Sequence, residues 1–538
     1  MDQAAQLNQI DRSQNIDGWN VRLYFWSRNP KLLFGISLII ILVGLGIAWA
    51  VQKPLLAILQ PDEFKPEVLK EELAKEKPDA GAVLEMLPKA AEYWLEDVPA
   101  DQWIIASKLT QTEKLVANAY WTSAKLEDGF EPSADLLYYA FYVNPLRYAN
   151  ELIGDHYIAE RDFQKAVTYY QREAKFPEAA KARVKLLDAA IKSRDRDTLR
   201  ALADNPDYVK EFRPEHRLYF AAKERRWAET AEPLKELQAR LVQPVPVTLA
   251  AIAGLVWLVI SLQAIQPIGL FTFRLLLPPA AVVAGIASSY ASLIAGLWME
   301  EMFGLRRSDY FVDDFLFYML SQAPCAELAK LAFFIPFVPI LLFRRSRLEM
   351  LVTAGCVGLG YAVWDSLAFF KQHGPAVAFP QFLTVNFFHL ALTGLIGIAF
   401  CEMLRNPIRG FFPFIGTFLL LVTAHGGYFA LGSGKETKVM VLGSMVIYML
   451  VALWYFRKLY MFRHRSTDQI NIGATFLIGI SLLAASTLVL ASREIGFIPT
   501  LATFAVVGFG MVMVSYMFYW QLGEGMSAAE EAATPYYR

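Results

Sequence analysis

The sequence predicts an all-α protein, a polytopic helical membrane bundle of about ten spans with an extracytoplasmic helical-repeat domain inserted after the first span. Three observations carry this. The 538 residues are 55% hydrophobic and only 19% charged, which is a membrane protein's composition. The apolar residues gather in runs of about twenty or more, enough to cross a bilayer as a helix. The only long polar stretch, residues 53–245, is rich in Ala, Leu, Glu and Lys and poor in strand-like runs. The net charge of −1 concentrates in no basic domain, so nothing points to a nucleic-acid partner. Cys325, Cys356 and Cys401 all lie in apolar runs, which argues against a disulfide framework.

Residues 1–52 form a cytoplasmic N-terminus and a membrane anchor. Arg12, Arg22, Arg28 and Lys31 precede the apolar run Leu32 to Val51. Ala48, Trp49 and Ala50 mimic a signal-peptidase site. The run is longer than a signal core and its polar leader is long, so the segment reads as an uncleaved anchor.

Residues 53–245 read as all-helical. In Leu152 to Pro177, the residues Gly154, Tyr157, Ala166 and Tyr170 fall at tetratricopeptide spacing, with Pro177 closing the second helix. Small residues there let two helices approach while aromatics fill between them. Degenerate continuations lie around Leu186 to Leu202 and Leu218 to Leu234. A helical bundle with one such hairpin is the alternative. The domain carries no catalytic constellation, and His156 and His216 read as surface or packing residues. A protein partner is the expected ligand of this domain.

Residues 246–520 form the polytopic domain, with spans near 246–265, 275–298, 313–343, 347–370, 380–402, 411–431, 438–456, 472–491 and 497–520. Arg344, Arg345 and Arg347 lie between the fourth and fifth spans of the chain, Arg405 and Arg409 between the sixth and seventh. Arg457, Lys458, Arg463 and Arg465 lie between the eighth and ninth. The positive-inside rule makes these loops cytoplasmic, places both termini inside, including the tail 521–538, and puts residues 53–245 outside. The loop with Glu300, Glu301, Arg306 and Arg307 falls on the outer side.

The chemistry gathers in residues 310–435. The run Phe315 to Phe343 is apolar enough to span, yet carries Glu327 and Lys330 near its middle. Placing an ionisable group there costs about 2.5–3.5 kcal/mol on insertion scales, so such a pair marks a functional site by default. Glu327 and Lys330 are three apart and share a helix face. Asp365 follows Gly355, Gly358 and Gly360 on the fifth span, where small residues permit close helix contact. On the sixth, Asn386, His389, Thr393 and Gly397 form one polar or small stripe. On the seventh, His425 precedes Gly426 and Gly427. Asp365, His389 and His425 then sit roughly 8–14 Å from the outer ends of their spans, in one layer. Each group alone has a structural reading: a register-fixing ion pair, a hydroxyl partner, an interhelical hydrogen bond. Together, carboxylate, imidazole and trapped water are the parts of a hydrolase.

The segments AELAK (326–330), GLGYAVWDS (358–366), FFHLALTGLIG (387–397) and AHGGYF (424–429) resemble, in order and spacing, the motif series of the PrsW-type intramembrane proteases. These are relatives of the CAAX-protease and bacteriocin-processing superfamily, and the likeness covers roughly a quarter of the chain. It implies a bacterial inner-membrane protease cutting a membrane-anchored substrate, such as an anti-sigma factor, near the outer face. The match departs in three places. Ala326 replaces the first glutamate of the family's EExxK motif, Asp365 and Ser366 replace Glu-Asn, and Phe429 replaces a polar partner of the late histidine.

On this reading Glu327 or Asp365 is the general base, and His389 and His425 position water or stabilise the oxyanion. Lys330 is the charge partner of Glu327, and Asn386 and Thr393 support the stripe. Two histidines and a carboxylate can also hold zinc, although the HExxH spacing is absent. The alternatives are an inactive membrane scaffold acting through its helical repeats, and a transporter using the polar layer as an ion or proton relay.

Overall fold

A computed structural model of the chain describes residues 26–52, 66–94, 99–126, 130–142, 147–193, 195–205, 208, 212–265, 273–303, 305, 311–432, 438–462 and 471–522. The N-terminal arginines Arg12 and Arg22, the loop arginines Arg306, Arg307, Arg463 and Arg465, the side chains of Glu300 and Glu301, and residues 523–538 lie outside them. Among the described residues, regular structure is entirely helical. The chain divides into two compact units, Leu59–Glu236 and the remainder, Met1–Ile58 with Leu237–Arg538.

Among the described residues, the larger unit contains ten helices long and apolar enough to cross a membrane. We number them α1 Pro30–Val51, α2 Pro244–Ile265, α3 Leu277–Met299, α4 Phe311–Arg344, α5 Arg347–Lys371, α6 Ala378–Arg405, α7 Pro407–Gly432, α8 Met440–Phe462, α9 Ile472–Ile495 and α10 Phe497–Leu522. The protein is thus a multi-pass membrane protein. Polar residues start several of these helices. Asn29 caps α1, Asn471 caps α9, and Ser346 accepts from the Glu349 amide at the head of α5.

The bundle is organised around α5 and α6, whose most apolar stretches are 83% and 72% buried, against 6% for the peripheral α10. Helix α5 packs on α2, α3 and α6 at once. Glycine makes this approach close enough to exclude any side chain. A Cβ on Gly360 would lie 1.9 Å from the Val282 carbonyl oxygen of α3, and one on Gly358 would lie 2.2 Å from the His389 carbonyl oxygen of α6. The surrounding core is aromatic, with Trp257 of α2 packed against Phe382, Phe387, Phe476 and Phe518.

Two spans are irregular. Helix α4 contains a π turn over Tyr318–Gln322 and a 3₁₀ turn over Ile335–Phe337, at Pro336. Helix α6 has a π turn over Phe382–Asn386. A π turn disturbs the regular carbonyl ladder, and here side chains of other helices complete it. Trp257 Nε1 donates to the Phe382 carbonyl at 3.0 Å, and the Tyr448 hydroxyl donates to that of Leu383 at 2.5 Å.

In the smaller unit, Ala149–Ala159 and Phe163–Glu173 form a helical hairpin, and Ala180–Ser193 packs on its second helix. Gly154 meets the face of the buried Tyr170 so closely that a Cβ would lie 2.5 Å from Cε1, and Ala166 is fully buried. Tyr157 stacks on Tyr169. His156 Nδ1 lies 2.7 Å from the Phe130 carbonyl, and His216 Nε2 lies 2.7 Å from Asp188 Oδ1. Both histidines therefore have local packing partners.

Candidate active site

Within the larger unit, α4, α6 and α7 bring Glu327, Lys330, His389 and His425 into one hydrogen-bonded cluster. All four side chains are essentially inaccessible to solvent. Glu327 Oε1 accepts from Lys330 Nζ at 2.5 Å and from His425 Nδ1 at 2.7 Å. Lys330 Nζ also lies 3.3 Å from His389 Nδ1. An ammonium can only donate, so His389 Nδ1 is the acceptor and its proton sits on Nε2. Thr393 Oγ1 approaches the second carboxylate oxygen, Glu327 Oε2, at 3.5 Å.

The local backbone explains why these groups meet. Glu327 and Lys330 lie on one face of the regular segment Ala323–Phe334, which begins directly after the π turn of α4. Asn386 ends the π turn of α6, and His389 and Thr393 follow at three and four residues in the regular helix. His425 sits on α7 where Gly426 leaves no room beyond Met319, since a Cβ there would lie 2.7 Å from its sulfur. Each π turn thus stands immediately before a stretch that carries site residues, a position such turns often take.

Two buried donors on α6 have no partner: Nε2 of His389, a member of the cluster, and Nδ2 of Asn386, one turn before it. The Asn386 carbonyl oxygen is already engaged, with Ser366 Oγ 2.9 Å away. Asn386 and His389 are three residues apart on α6, so their orphan donors share one side of the helix. An unsatisfied donor in a dry interior costs roughly 1–3 kcal/mol, which a ligand oxygen placed between them would recover.

Asp365 is placed differently from the other expected residues. It is half-buried and coupled electrostatically to Lys330, while its neighbour Ser366 makes the contact to α6. Three residues given no role in the site by the sequence analysis complete it. Tyr361 lays its ring under Lys330 Nζ at 4.8 Å and meets the edge of His389 with centroids 5.1 Å apart. Phe429 packs against both imidazoles, 5.8 Å from His389 and 5.3 Å from His425. Ser366 is the third. Tyr361 was discoverable from spacing, since it lies four residues before Asp365 on the same helix face.

Glu327, His389 and His425 offer three ligand atoms within 4.8 Å of one another, a donor set of the type zinc accepts. Lys330 Nζ, however, contacts both Glu327 Oε1 and His389 Nδ1. A dication bound through those two atoms would have to displace that ammonium. The cluster is built around its own cation, the Lys330 ammonium.

Compared with known protein families, curated proteins and solved structures, the chain matches none.

Proposed function

We propose that this chain is an intramembrane endopeptidase that hydrolyses a membrane-anchored protein with water polarised by Glu327. The observation that carries this reading is an ion-paired, buried carboxylate clustered with His389, whose Nε2 donor, like the Asn386 Nδ2 donor one turn before it on α6, is buried and unpartnered. The motif resemblance to PrsW-type proteases points the same way.

On this reading the scissile carbonyl lies with its oxygen toward His389 Nε2 and Asn386 Nδ2. Both are preorganised to receive the charge that develops on that oxygen. A water molecule at Glu327 Oε2 attacks the carbonyl carbon and gives its proton to the carboxylate, which returns it to the leaving amine nitrogen. His425 and Lys330 hold the other carboxylate oxygen, so Oε2 is the one left facing the reaction. Lys330 also fixes the His389 tautomer, making it a positioning residue. Asp365, outside the hydrogen-bonded cluster, is not the base.

We place the protein in a bacterial inner membrane with its basic turns cytoplasmic. Support comes from Arg347, Arg405, Arg409 and Lys458, contributed by three separate turns, which line one common cavity. The Leu59–Glu236 unit is then extracytoplasmic, and its hairpin suits capture of a protein substrate or partner. A scaffold without catalysis is the second reading, favoured by Ala326, which withholds the carboxylate that the resembled motif has.

Comparison of membrane proteomes from cells carrying the parent or His389→Ala tests the proposal. Full-length forms of one or more membrane proteins should accumulate in the variant. Identical proteomes at equal expression of the two chains would favour the scaffold.

A further inference from the structure

Between the ends of α5, α6, α7 and α8 lies a half-open cavity of about 450 Å³, lined by none of the residues of the glutamate cluster. Arg347, Arg405, Arg409 and Lys458 line it, with Glu402 as the one carboxylate of its wall. Arg347 Nε pairs with Glu402 Oε1 at 3.1 Å, which neutralises that acid. Among the described residues, Arg405, Arg409 and Lys458 have no carboxylate within ion-pair distance. Three positive charges thus converge on one concave space without an internal counter-ion.

We infer that this cavity binds the phosphate-bearing head group of an anionic phospholipid. Guanidinium groups suit phosphate because their planar donors engage two oxygens at once, and two such groups here flank a single turn. That turn is fixed: Asn406 accepts from the Gly410 amide at 2.7 Å, and a Cβ on Gly410 would lie 2.5 Å from the Met403 Cα. Arg405 at the end of α6 and Arg409 at the start of α7 are thereby held together. The α7 terminus adds its own partial positive charge.

The wall distinguishes a lipid from a soluble phosphate. Leu395, Ile398, Phe414 and Trp454 form the cavity's apolar lining, a surface that a free ion would not use. Beside it, Ile408, Phe411 and Phe412 are 91%, 50% and 79% exposed, forming an apolar shelf at the lip. Acyl chains descending along that shelf would leave the phosphodiester among the arginines. Basic pockets between membrane helices take anionic head groups in this way.

Native mass spectrometry of the full-length protein, delipidated and titrated with phosphatidylglycerol, phosphatidylcholine or inorganic phosphate, tests the inference. Phosphatidylglycerol should be retained at least tenfold better than phosphatidylcholine. The Arg405→Gln/Arg409→Gln double variant should weaken that retention by roughly thirtyfold, about the effect of two surface charges. Arg493→Gln, an exposed arginine on α9 outside the cavity, serves as the control and should change retention less than twofold. Both altered arginines are solvent-exposed, and circular dichroism of the variant verifies that its helices persist. Equal retention of the two lipids, an unaffected double variant, or an equal loss in Arg493→Gln would overturn the site. Saturation by inorganic phosphate that blocks the lipid would reassign it to a soluble anion.

Discussion

Glu327 Oε1 and His425 Nδ1 lie 2.7 Å apart although 98 residues separate them in the chain, and Lys330 Nζ shares the same oxygen at 2.5 Å. One carboxylate oxygen thereby fixes α4 to α7, while the other meets Thr393 Oγ1 of α6 at 3.5 Å. The same contact makes Glu327 structurally demanding, because removing its charge strands a fully buried ammonium.

Glu327→Gln should therefore abolish turnover and also reduce folded protein, since an uncompensated buried charge costs about 3–5 kcal/mol. Glu327→Gln combined with Lys330→Met removes both charges and should recover abundance without recovering activity. Monodisperse yield after detergent extraction and substrate cleavage measure the two effects separately. Cleavage by Glu327→Gln at the parent's rate would refute the mechanism.

The unpartnered donors give a sharper test of chemistry against structure. His389→Ala and Asn386→Ala should each lower the rate by roughly 10²–10³-fold, the usual effect of losing one oxyanion donor. Asn386→Ala leaves Ser366 a backbone acceptor, the Ala362 carbonyl at 2.7 Å, so yield should remain near the parent's. Loss of yield with an unchanged specific rate would assign Asn386 to packing alone.

Asp365→Asn should retain partial turnover, because Asp365 reaches the cluster only through the charge of Lys330. Ala326→Glu would supply the carboxylate that the resembled motif has. Ala326 is fully buried, however, so the added side chain has to displace core atoms. A fall in folded protein is expected, measured by the same extraction yield. A gain in activity at normal yield would show that the site holds room for a second acid.

Orientation is tested by reporters. A fusion within Leu59–Glu236 should behave as extracytoplasmic, and one after Arg347 as cytoplasmic. Both reporting the same side would break the alternation of spans.

Outside the membrane, Glu173 supplies a pH dependence. It is fully buried, accepts from the Tyr148 amide at 2.5 Å, and burial pushes its carboxyl up from 4.5 to about 7. Between those values the folded state holds a proton that the unfolded state has lost, so stability falls as pH rises from 4.5 through about 7 and stays low above it. The loss is roughly 3 kcal/mol at full effect. Glu173→Gln keeps an acceptor for Tyr148 and should flatten the dependence. Hydrogen exchange around Tyr148 in the full chain, followed from pH 5 to 8 with the intrinsic rate corrected, reads this directly.

Much of this architecture was legible in the sequence because the bilayer imposes a length on apolar runs. The ten spans were found to within about six residues at either end, including 347–370 for α5, Arg347–Lys371. Helix α7 starts at Pro407, four residues before the expected 411, because Asn406 and Pro407 begin a helix that Arg409 had made look like loop. The π turns were illegible. The one in α6 is supported by Trp257 and Tyr448, which lie more than sixty residues away in the chain. Intramembrane charge gave Glu327, Lys330, His389 and His425 because such residues are rare in hydrocarbon. It could not choose between Asp365 and Ser366, since adjacent helical positions differ by about 100° in direction and only packing shows which faces α6.

The broken geometry of α4 has a mechanical meaning. Gly358 and Gly360 hold α5 at backbone contact with α6 and α3, so those three helices can neither slide nor part without opening a void. Helix α4 has a π turn before Glu327 and two prolines, Pro336 and Pro339, after it, so it is already segmented on both sides of its charged residue. Leu320, Leu328 and Ile335 leave its outer flank about half exposed. Helix α4 is therefore a wall in separate segments, and its charged residues ride on the middle one, Ala323–Phe334, beside three helices locked together by glycine contacts.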